Sequence, residues 1–195
     1  MPIVFLPSPF IPPRLHKFLP YEPNPFVIDV AILKQRFRNA QAQCHPDSWA
    51  SKGSNKQDIA QALSARINEA YQSLLNPLSR VEYILQQHHV PVSETDQVDD
   101  AGFMAEIMEA RETIEEAEDG SDVENLLKQN TGEFILYNAF DDVDQFFHTG
   151  EIERTLEEIE ARVGQEQWSD VKKAAVRLRY LQGVARAGKK WFDSR

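Results

Sequence analysis

Apolar residues recur at intervals of three and four through most of the chain, and this spacing predicts amphipathic helices. The first predicted helix covers 29–44 and begins at Asp29, whose carboxylate can cap it. Its apolar stripe consists of Leu33, Phe37, Ala40 and Cys44. A second predicted helix covers about 56–75, and its stripe consists of Leu63, Ile67, Ala70 or Tyr71, and Leu74. Asn76-Pro77 ends it, and a short helix over 78–87 follows.

Helical spacing returns after a polar segment, 88–100, that is predicted to be a linker. A helix over 101–118 carries the apolar stripe Phe103, Ile107, Ala110, Ile114 and Ala117. Further helices are predicted from Ser121 or Asp122, over 151–163 and over 166–191. The last of these has the stripe Val171, Ala174, Leu178, Leu181 and Ala185. Together with a Pro-rich N-terminal segment over 1–13, the pattern predicts an all-α fold.

Composition narrows the classes of protein that fit. The single cysteine, Cys44, excludes an internal disulfide and a cysteine-rich zinc site. No run of 18 apolar residues is present, so no membrane span is predicted. Residues 1–90 carry nine Lys/Arg and six Asp/Glu, whereas residues 91–195 carry twelve and 25. The uneven charge predicts two modules that meet at 88–100, and the acidic second half argues against a nucleic-acid partner.

The tripeptide His45-Pro46-Asp47 ends the first helix, because proline disfavours the helical conformation of the residue before it. His45 could act as a general base oriented by Asp47, but no Ser or reactive Cys accompanies the pair. The two could bind a metal, but two ligands are too few. A plain turn is the simplest alternative. The tripeptide lies between two helices that can pack as a hairpin. This position favours a fourth role, in which the tripeptide forms an exposed loop that another protein recognises.

Residues 14–87 resemble the J-domain of DnaJ-type co-chaperones. The resemblance rests on the order helix–HPD–loop–helix and on Phe37, eight residues before His45. It also rests on the sequence INEAYQSLLNPLSRVEY after the loop. A J-domain is a helical hairpin whose HPD tripeptide lies at the tip, so this architecture is expected here.

The J-domain resemblance implies a partner, a 70-kDa heat-shock chaperone of the DnaK or HscA type whose ATP hydrolysis the tripeptide triggers. It also implies that basic residues of the preceding helix contribute to binding. The implied chaperone contacts are His45, Pro46, Asp47, Lys34 and Arg38. Asn39 and Ser48 stand where many J-domains carry a basic residue. That departure implies a weaker or more selective engagement of the chaperone.

A second candidate surface lies on the predicted helix over 101–118. Met104 and Met108 lie one residue off its apolar stripe, about 100° around the helix. Glu112 and Glu116 continue the same row, and Glu109 lies beside it. Methionine adapts to irregular partners and carboxylates attract basic ones, so the row is a candidate partner-binding surface. A core stripe wider than assumed is the alternative.

Both halves together resemble the HscB family, the J-type co-chaperones of iron–sulfur cluster biogenesis. FMAEIMEARETIEEAED and WSDVKKAAVRLRYLQGV look like the family's C-terminal three-helix bundle, and LNPLSRVEYIL leads into its short linker. The match covers most of 14–193. It implies an L-like arrangement of the J-domain and a bundle over 101–195. It also implies that residues 131–150, which are aromatic and bracketed by Gly132 and Gly150, are an insertion in a helix that is otherwise continuous.

In HscB-type proteins the bundle binds an iron–sulfur scaffold protein of the IscU type. The implied scaffold contacts here are Met104, Met108, Glu109, Glu112, Glu116 and Tyr180. From its spacing alone, Tyr180 could instead cover the edge of the core. Ala105 stands where some members have a larger apolar residue, which implies a somewhat smaller patch. The CxxC zinc module of some animal members is missing, so no metal and no cofactor are expected.

The resemblance therefore implies a delivery co-chaperone and not an enzyme. It is expected to bind the scaffold, deliver it to the chaperone and stimulate the chaperone's ATPase, which promotes cluster transfer. The alternative is a general J-domain co-chaperone with a different client. Neither nucleic acid nor a membrane is an expected partner. The Pro-rich start has no acid before Glu22, and together with eukaryotic members it favours the mitochondrial matrix, whereas bacterial members are cytoplasmic.

Overall fold

A computed structural model of the chain describes residues 24–131 and 150–194. Every regular element within those ranges is helical, so the predicted all-α fold is confirmed. Two predicted features lie outside the described residues. One is the Pro-rich segment over 1–13 together with the first part of the 14–87 unit, and the other is nearly all of the segment over 131–150.

The described helices follow the predicted ones closely. Helix α1 is Val30–Cys44, and its N-cap Asp29 accepts a hydrogen bond from the Ile32 backbone N–H at 2.9 Å. A short 3₁₀ helix, Pro46–Lys52, occupies what was predicted as a polar loop. The remaining helices are α2 Ser54–Leu75, α3 Pro77–Gln87, α4 Ala101–Glu116, α5 Gly120–Thr131, α6 Glu151–Gly164 and α7 Trp168–Asp193.

Helices α1 and α2, joined by the 3₁₀ helix, form the first compact unit, which spans Ile28–Leu75 within the described residues. Its small core contains Leu33, Leu74 and Leu75, and Phe37 stacks on Tyr71 with ring centroids 4.1 Å apart. This packing of α1 on α2 is the hairpin that the two stripes predicted. The core lies toward the end of α2 that is distant from the tripeptide.

The prediction that Leu63 belongs to the buried stripe of α2 is wrong, because that residue is 43% exposed. At that level α2 turns Ser64 and Asn68 toward α1 instead. The Gln41 side-chain amide donates to the Ser64 carbonyl at 3.2 Å and to Asn68 Oδ1 at 2.8 Å, and the Ser64 hydroxyl donates to Gln41 Oε1 at 2.8 Å. A polar tie therefore joins the helices where apolar contact was expected.

The second compact unit comprises Asn24–Val27 and the chain from Asn76 onward. Helix α3 belongs to it, so the division into compact units falls after Leu75 and not at 88–100, where the charge change suggested it. The reason is that Val81 and Leu85 of α3 are fully buried in the same core cluster as the later helices. The charge pattern marks a change in surface chemistry, not the point where the packing divides.

Helix α7 is the central element of the second unit, since it packs against α3, α4, α5 and α6. Val171, Ala174, Leu178 and Leu181 of the predicted stripe are buried, and Ala185 is only half-buried. The buried face also includes Ala175, Val176 and Val184. The described residues include α4, α5, α6 and α7 of the bundle, and the predicted insertion over 131–150 falls between α5 and α6 in the sequence. Helices α5 and α6 are separate elements on either side of residues 132–149.

The predicted linker over 88–100 is attached to α7 along its length. The Arg179 guanidinium donates to the carbonyl oxygens of Ser93 and Asp96 at 3.0 and 2.7 Å. The Lys172 ammonium lies 2.9 Å from the Asp96 carboxylate. The partly buried side chains of this segment that pack on the core are Val90, Val92 and Val98. The segment thus belongs to the bundle, and its end fixes the start of α4.

Candidate functional sites

The HPD tripeptide lies at the turn of the α1–α2 hairpin. His45 has an extended backbone, with φ −62° and ψ 125°, as proline requires of the residue before it. Pro46 then begins the 3₁₀ helix, and the Ser48 backbone N–H donates to the His45 carbonyl at 3.0 Å. The sequence therefore forms a short, ordered turn here and not a long loop.

The two polar side chains of the tripeptide face solvent. The His45 side chain is 56% exposed and that of Asp47 is 87% exposed, and His45 Nδ1 lies 3.6 Å from Asp47 Oδ2. Cys44 is a half-buried free thiol on α1. No group of three or more His, Cys, Asp or Glu side chains that could hold a metal is found in the described part of the chain. The turn thus exposes an imidazole and a carboxylate, with a half-buried proline ring between them in the sequence.

The two basic residues predicted to assist the tripeptide lie on α1. Arg38 is exposed and Lys34 is half-buried. They precede His45 by seven and eleven residues, so they lie about 10 and 16 Å from it along the helix axis. The arrangement is a line of positive charge that leads toward the turn. The exposed Arg38 guanidinium is the closer of the two to the tripeptide.

Trp49 is a residue of this site that the sequence pattern did not single out. Its indole Nε1–H donates to the Gln43 carbonyl at 3.1 Å, and the Lys52 ammonium lies 4.2 Å from its ring centroid. Trp49 lies three residues after Pro46, in a segment too short to show a periodic pattern. The sequence pattern therefore gave no sign of this hydrogen bond. The only hint in the sequence is that tryptophan is unusual in a polar loop.

The candidate row on α4 divides into a half-buried and an exposed part. Phe103 and Ile107 of the predicted stripe are buried, and Met104 packs against the edge of the same core. Met108 is 60% exposed, which is unusual for a large apolar side chain. Met108 therefore does not belong to a wider core stripe. The Met104 side chain contributes to the core as well as to the surface.

The carboxylates of this surface are not neutralised by a cation in the described part of the chain. Glu109, Glu112 and Glu116 are all exposed, and none of them forms an ion pair with another described residue. Several basic residues of α7 pair with other acidic residues. Arg177 lies 4.0 Å from the Asp100 carboxylate and 3.4 Å from that of Glu151. The row can thus attract a basic partner without first losing an internal ion pair.

Tyr180 lies beside this row at the border of the core. It is half-buried and meets Phe103 edge to face, with ring centroids 6.4 Å apart. The Arg177 guanidinium lies 4.2 Å from the centre of the same Phe103 ring. Tyr180 therefore covers the edge of the core, and its half-exposed ring also faces solvent. The two alternatives that the sequence left open are compatible.

A groove of about 460 Å³ lies between α4 and α5, and the sequence pattern gave no sign of it. Its floor is apolar and is formed by Phe103, Ile107, Leu181 and Val184. Carboxylates lie around it, on Glu106, Glu109, Asp122 and Glu151. Glu109 thus lines this groove as well as standing beside the methionine row.

Comparison with known proteins decides the family. The sequence family described as the HSCB C-terminal oligomerisation domain matches residues 99–137. A co-chaperone protein HscB homolog from Vibrio vulnificus is 34% identical over 166 residues, which cover 84% of this chain and 86% of the relative. The chain belongs to the HscB co-chaperone family. The family resemblance read from the HPD tripeptide and the bundle segments is therefore confirmed.

HscB relatives come from bacteria and from humans. The human iron-sulfur cluster co-chaperone protein HscB is 33% identical over 136 residues, or 68% of this chain and 56% of the relative. The crystal structure of human co-chaperone protein HscB aligns with a TM-score of 0.72 at 23% identity, covering 89% of this chain and 79% of that one. This likeness confirms the helical fold. Within the described residues, no helix is long and apolar enough to cross a membrane.

Proposed function

We propose that this HscB-family protein couples an iron–sulfur scaffold protein to a 70-kDa heat-shock chaperone. The exposed HPD tripeptide, held in a short turn between two packed helices, is the observation that carries the proposal. A short turn that exposes an imidazole and a carboxylate on either side of a proline suits docking to another protein. The protein acts by binding, and the bond chemistry belongs to the chaperone's ATPase.

The chaperone-binding half of the mechanism uses the α1–α2 hairpin. His45 and Asp47 meet the ATP-bound chaperone, and Pro46 keeps the turn in the shape that fits it. Arg38 and Lys34 supply positive charge for an acidic face of the chaperone, which speeds encounter and fixes orientation. Binding that is tighter to the hydrolysing state than to the resting state shifts the chaperone toward hydrolysis.

The scaffold-binding half uses α4 and the middle of α7. Met108 provides the exposed apolar contact, with Met104 and Tyr180 beside it. The row of free carboxylates, Glu109, Glu112 and Glu116, faces basic groups of the scaffold. Exposed apolar side chains next to unpaired charges are typical of a small, specific interface, in which a few central residues contribute most of the affinity.

The chaperone half is tested with a purified DnaK-type chaperone and steady-state ATP hydrolysis. Wild-type protein is expected to stimulate hydrolysis, and His45→Gln is expected to abolish the stimulation. His89→Asn is the matched control, because His89 is exposed and lies in the other compact unit. Stimulation that survives in His45→Gln would mean that the tripeptide is only a turn.

The scaffold half is tested by calorimetry with an IscU-type scaffold. The triple variant Met104→Ala/Met108→Ala/Tyr180→Ala is expected to bind at least tenfold more weakly than wild type, since such central residues dominate an interface. Ile59→Ala/Leu63→Ala is the control, because these apolar residues are also exposed but lie on α2. If wild type itself does not bind the scaffold, the protein is a general J-domain co-chaperone with another client.

The proposed location is the mitochondrial matrix. Support comes from the Pro-rich start, which carries Arg14 and Lys17 and no acid before Glu22. A fusion of residues 1–26 to a fluorescent protein is expected to coincide with a matrix marker in eukaryotic cells. Diffuse cytosolic fluorescence of that fusion would contradict the proposal.

A further inference from the structure

Trp49 connects the two ends of the tripeptide turn. Its indole Nε1–H donates to the Gln43 carbonyl at 3.1 Å, so a hydrogen bond joins a residue two before His45 to a residue two after Asp47. Gln43 lies in the last turn of α1, where backbone carbonyls have no partner within the helix. The indole thus satisfies one of these carbonyls and closes a ring of chain around the tripeptide.

The 3₁₀ geometry places further side chains beside this hydrogen-bonded turn. Residues three apart lie directly above one another in a 3₁₀ helix, so Pro46, Trp49 and Lys52 share one face. The Lys52 ammonium lies 4.2 Å from the centre of the Trp49 ring, a distance at which a cation is attracted to the ring face. Trp49 therefore holds a positive charge on the same short helix as the tripeptide.

The 3₁₀ helix also packs on α2 and on α1. The Ser48 N–H donates to the His45 carbonyl at 3.0 Å, but the His45 and Asp47 side chains are exposed and lie 3.6 Å apart. A turn with such exposed groups samples other conformations unless a contact across it limits them. The indole contact joins the two sides directly.

We propose that Trp49 positions His45 and Asp47 for the chaperone and holds Lys52 as an additional cationic contact for an acidic group on it. The inference rests on the proposed function. Trp49 itself need not touch the chaperone. It acts by increasing the fraction of molecules whose turn already has the binding shape, and a smaller fraction weakens the apparent affinity in proportion.

The first test compares wild type with Trp49→Phe, which keeps an aromatic side chain beside Lys52 and removes the N–H together with one ring of the indole. In the chaperone ATPase assay, the half-saturating concentration is expected to rise about fivefold, the effect of one net hydrogen bond. The maximal rate is expected to stay unchanged, because the contacting residues are the same. Trp191→Phe is the control, since Trp191 lies near the end of α7 in the other unit. An unchanged half-saturating concentration in Trp49→Phe would overturn the inference.

A second variant tests the charge. Lys52→Met keeps an unbranched, flexible side chain of nearly the same length and removes the ammonium. At low salt, its half-saturating concentration is expected to exceed that of wild type. At high salt the two values are expected to become similar, because salt screens the attraction between the Lys52 ammonium and the chaperone. Equal values for both proteins at low salt would remove Lys52 from the proposal.

Hydrogen exchange of the protein alone separates this inference from the proposed function. The Ser48 amide is expected to exchange faster in Trp49→Phe than in wild type, while the amides of α7 exchange equally in both. If wild type fails to stimulate any chaperone, the proposed function fails. If wild type stimulates and the Ser48 amide is unaffected by Trp49→Phe, only the role of Trp49 fails.

Discussion

Ile107 and Met108 are neighbours on α4, but they differ in what they contact. Ile107 is 5% exposed in the bundle core, whereas Met108 is 60% exposed. At the residue scale, the i+3/i+4 spacing assigned Ile107 to the apolar stripe and Met108 to the row beside it, but it left open whether a wider core stripe buries Met108. The half-burial of Met104 did not follow from spacing, since it depends on how closely α4 lies against α7.

The pair gives a matched prediction. Ile107→Ala is expected to lower the free energy of unfolding by about 2–5 kcal/mol, because it leaves a cavity in the core. Met108→Ala is expected to change it by less than about 0.5 kcal/mol, because the side chain is exposed. In scaffold calorimetry, Met108→Ala is expected to reduce affinity without the loss of stability. Equal loss of stability in both urea titrations would contradict the assignment of Met108 to a binding surface.

Two glycines of α7 give a second prediction at the residue scale. A Cβ at Gly188 would lie 2.7 Å from Leu127 Cδ2, so Gly188→Ala is expected to destabilise the protein by about 1–3 kcal/mol through overpacking. A Cβ at Gly183 would meet only the flexible end of Arg111 at 3.4 Å. Gly183→Ala is therefore expected to stabilise α7 by up to about 1 kcal/mol. Urea unfolding of both variants is the measurement, and destabilisation of equal size would contradict it.

At the scale of elements, the helices and the α1–α2 hairpin were predictable, whereas the packing of α3 with the bundle was not. The spacing of apolar residues predicted nearly every described helix to within about two residues of its ends. It did not predict that α3 packs with the bundle, because periodicity gives the apolar face of a helix but not the face it meets. It did not predict the attachment of 88–100 either, since Arg179 lies 86 residues from the Ser93 carbonyl that it bonds.

The grouping of α3 with the bundle is tested by hydrogen exchange. Leu85 of α3 is fully buried, so Leu85→Ala is expected to increase exchange in α7 and to leave α1 protected. Leu74→Ala, in the hairpin core near the end of α2, is expected to do the reverse. Loss of α1 protection in Leu85→Ala would show that the compact units unfold together.

The attachment of 88–100 predicts a pH dependence. The hydrogen bond from Lys172, with that from the Ser93 backbone N–H, lowers the pKa of Asp96 below its ordinary 3.8. The stability that this ionised carboxylate contributes is therefore complete above pH 3.8 and is lost as the pH falls through the lower, folded value. Urea unfolding is expected to show Asp96→Asn as less stable than wild type at pH 7, with the difference shrinking below pH 3.8. A difference that is constant from pH 7 to pH 2.5 would contradict this account.

At the scale of the whole molecule, we propose that one chain binds two proteins and makes the activity of one depend on the other. The HPD tripeptide and the methionine row are both visible in the sequence, because each depends on residues close together along the chain. The Trp49 bond and the α4–α5 groove are not visible, because they depend on how the chain folds back. This dependence requires that binding at the methionine row changes the effect of the HPD tripeptide on the chaperone, so both surfaces have to be tested in one assay.

The most direct test is steady-state ATPase of the chaperone with wild-type protein, in the presence and absence of the iron–sulfur scaffold. The scaffold is expected to increase the stimulation by wild type. It is expected to add nothing with His45→Gln or with the triple variant Met104→Ala/Met108→Ala/Tyr180→Ala. If the scaffold makes no difference to stimulation by wild type, the two surfaces are not coupled and this proposal is wrong.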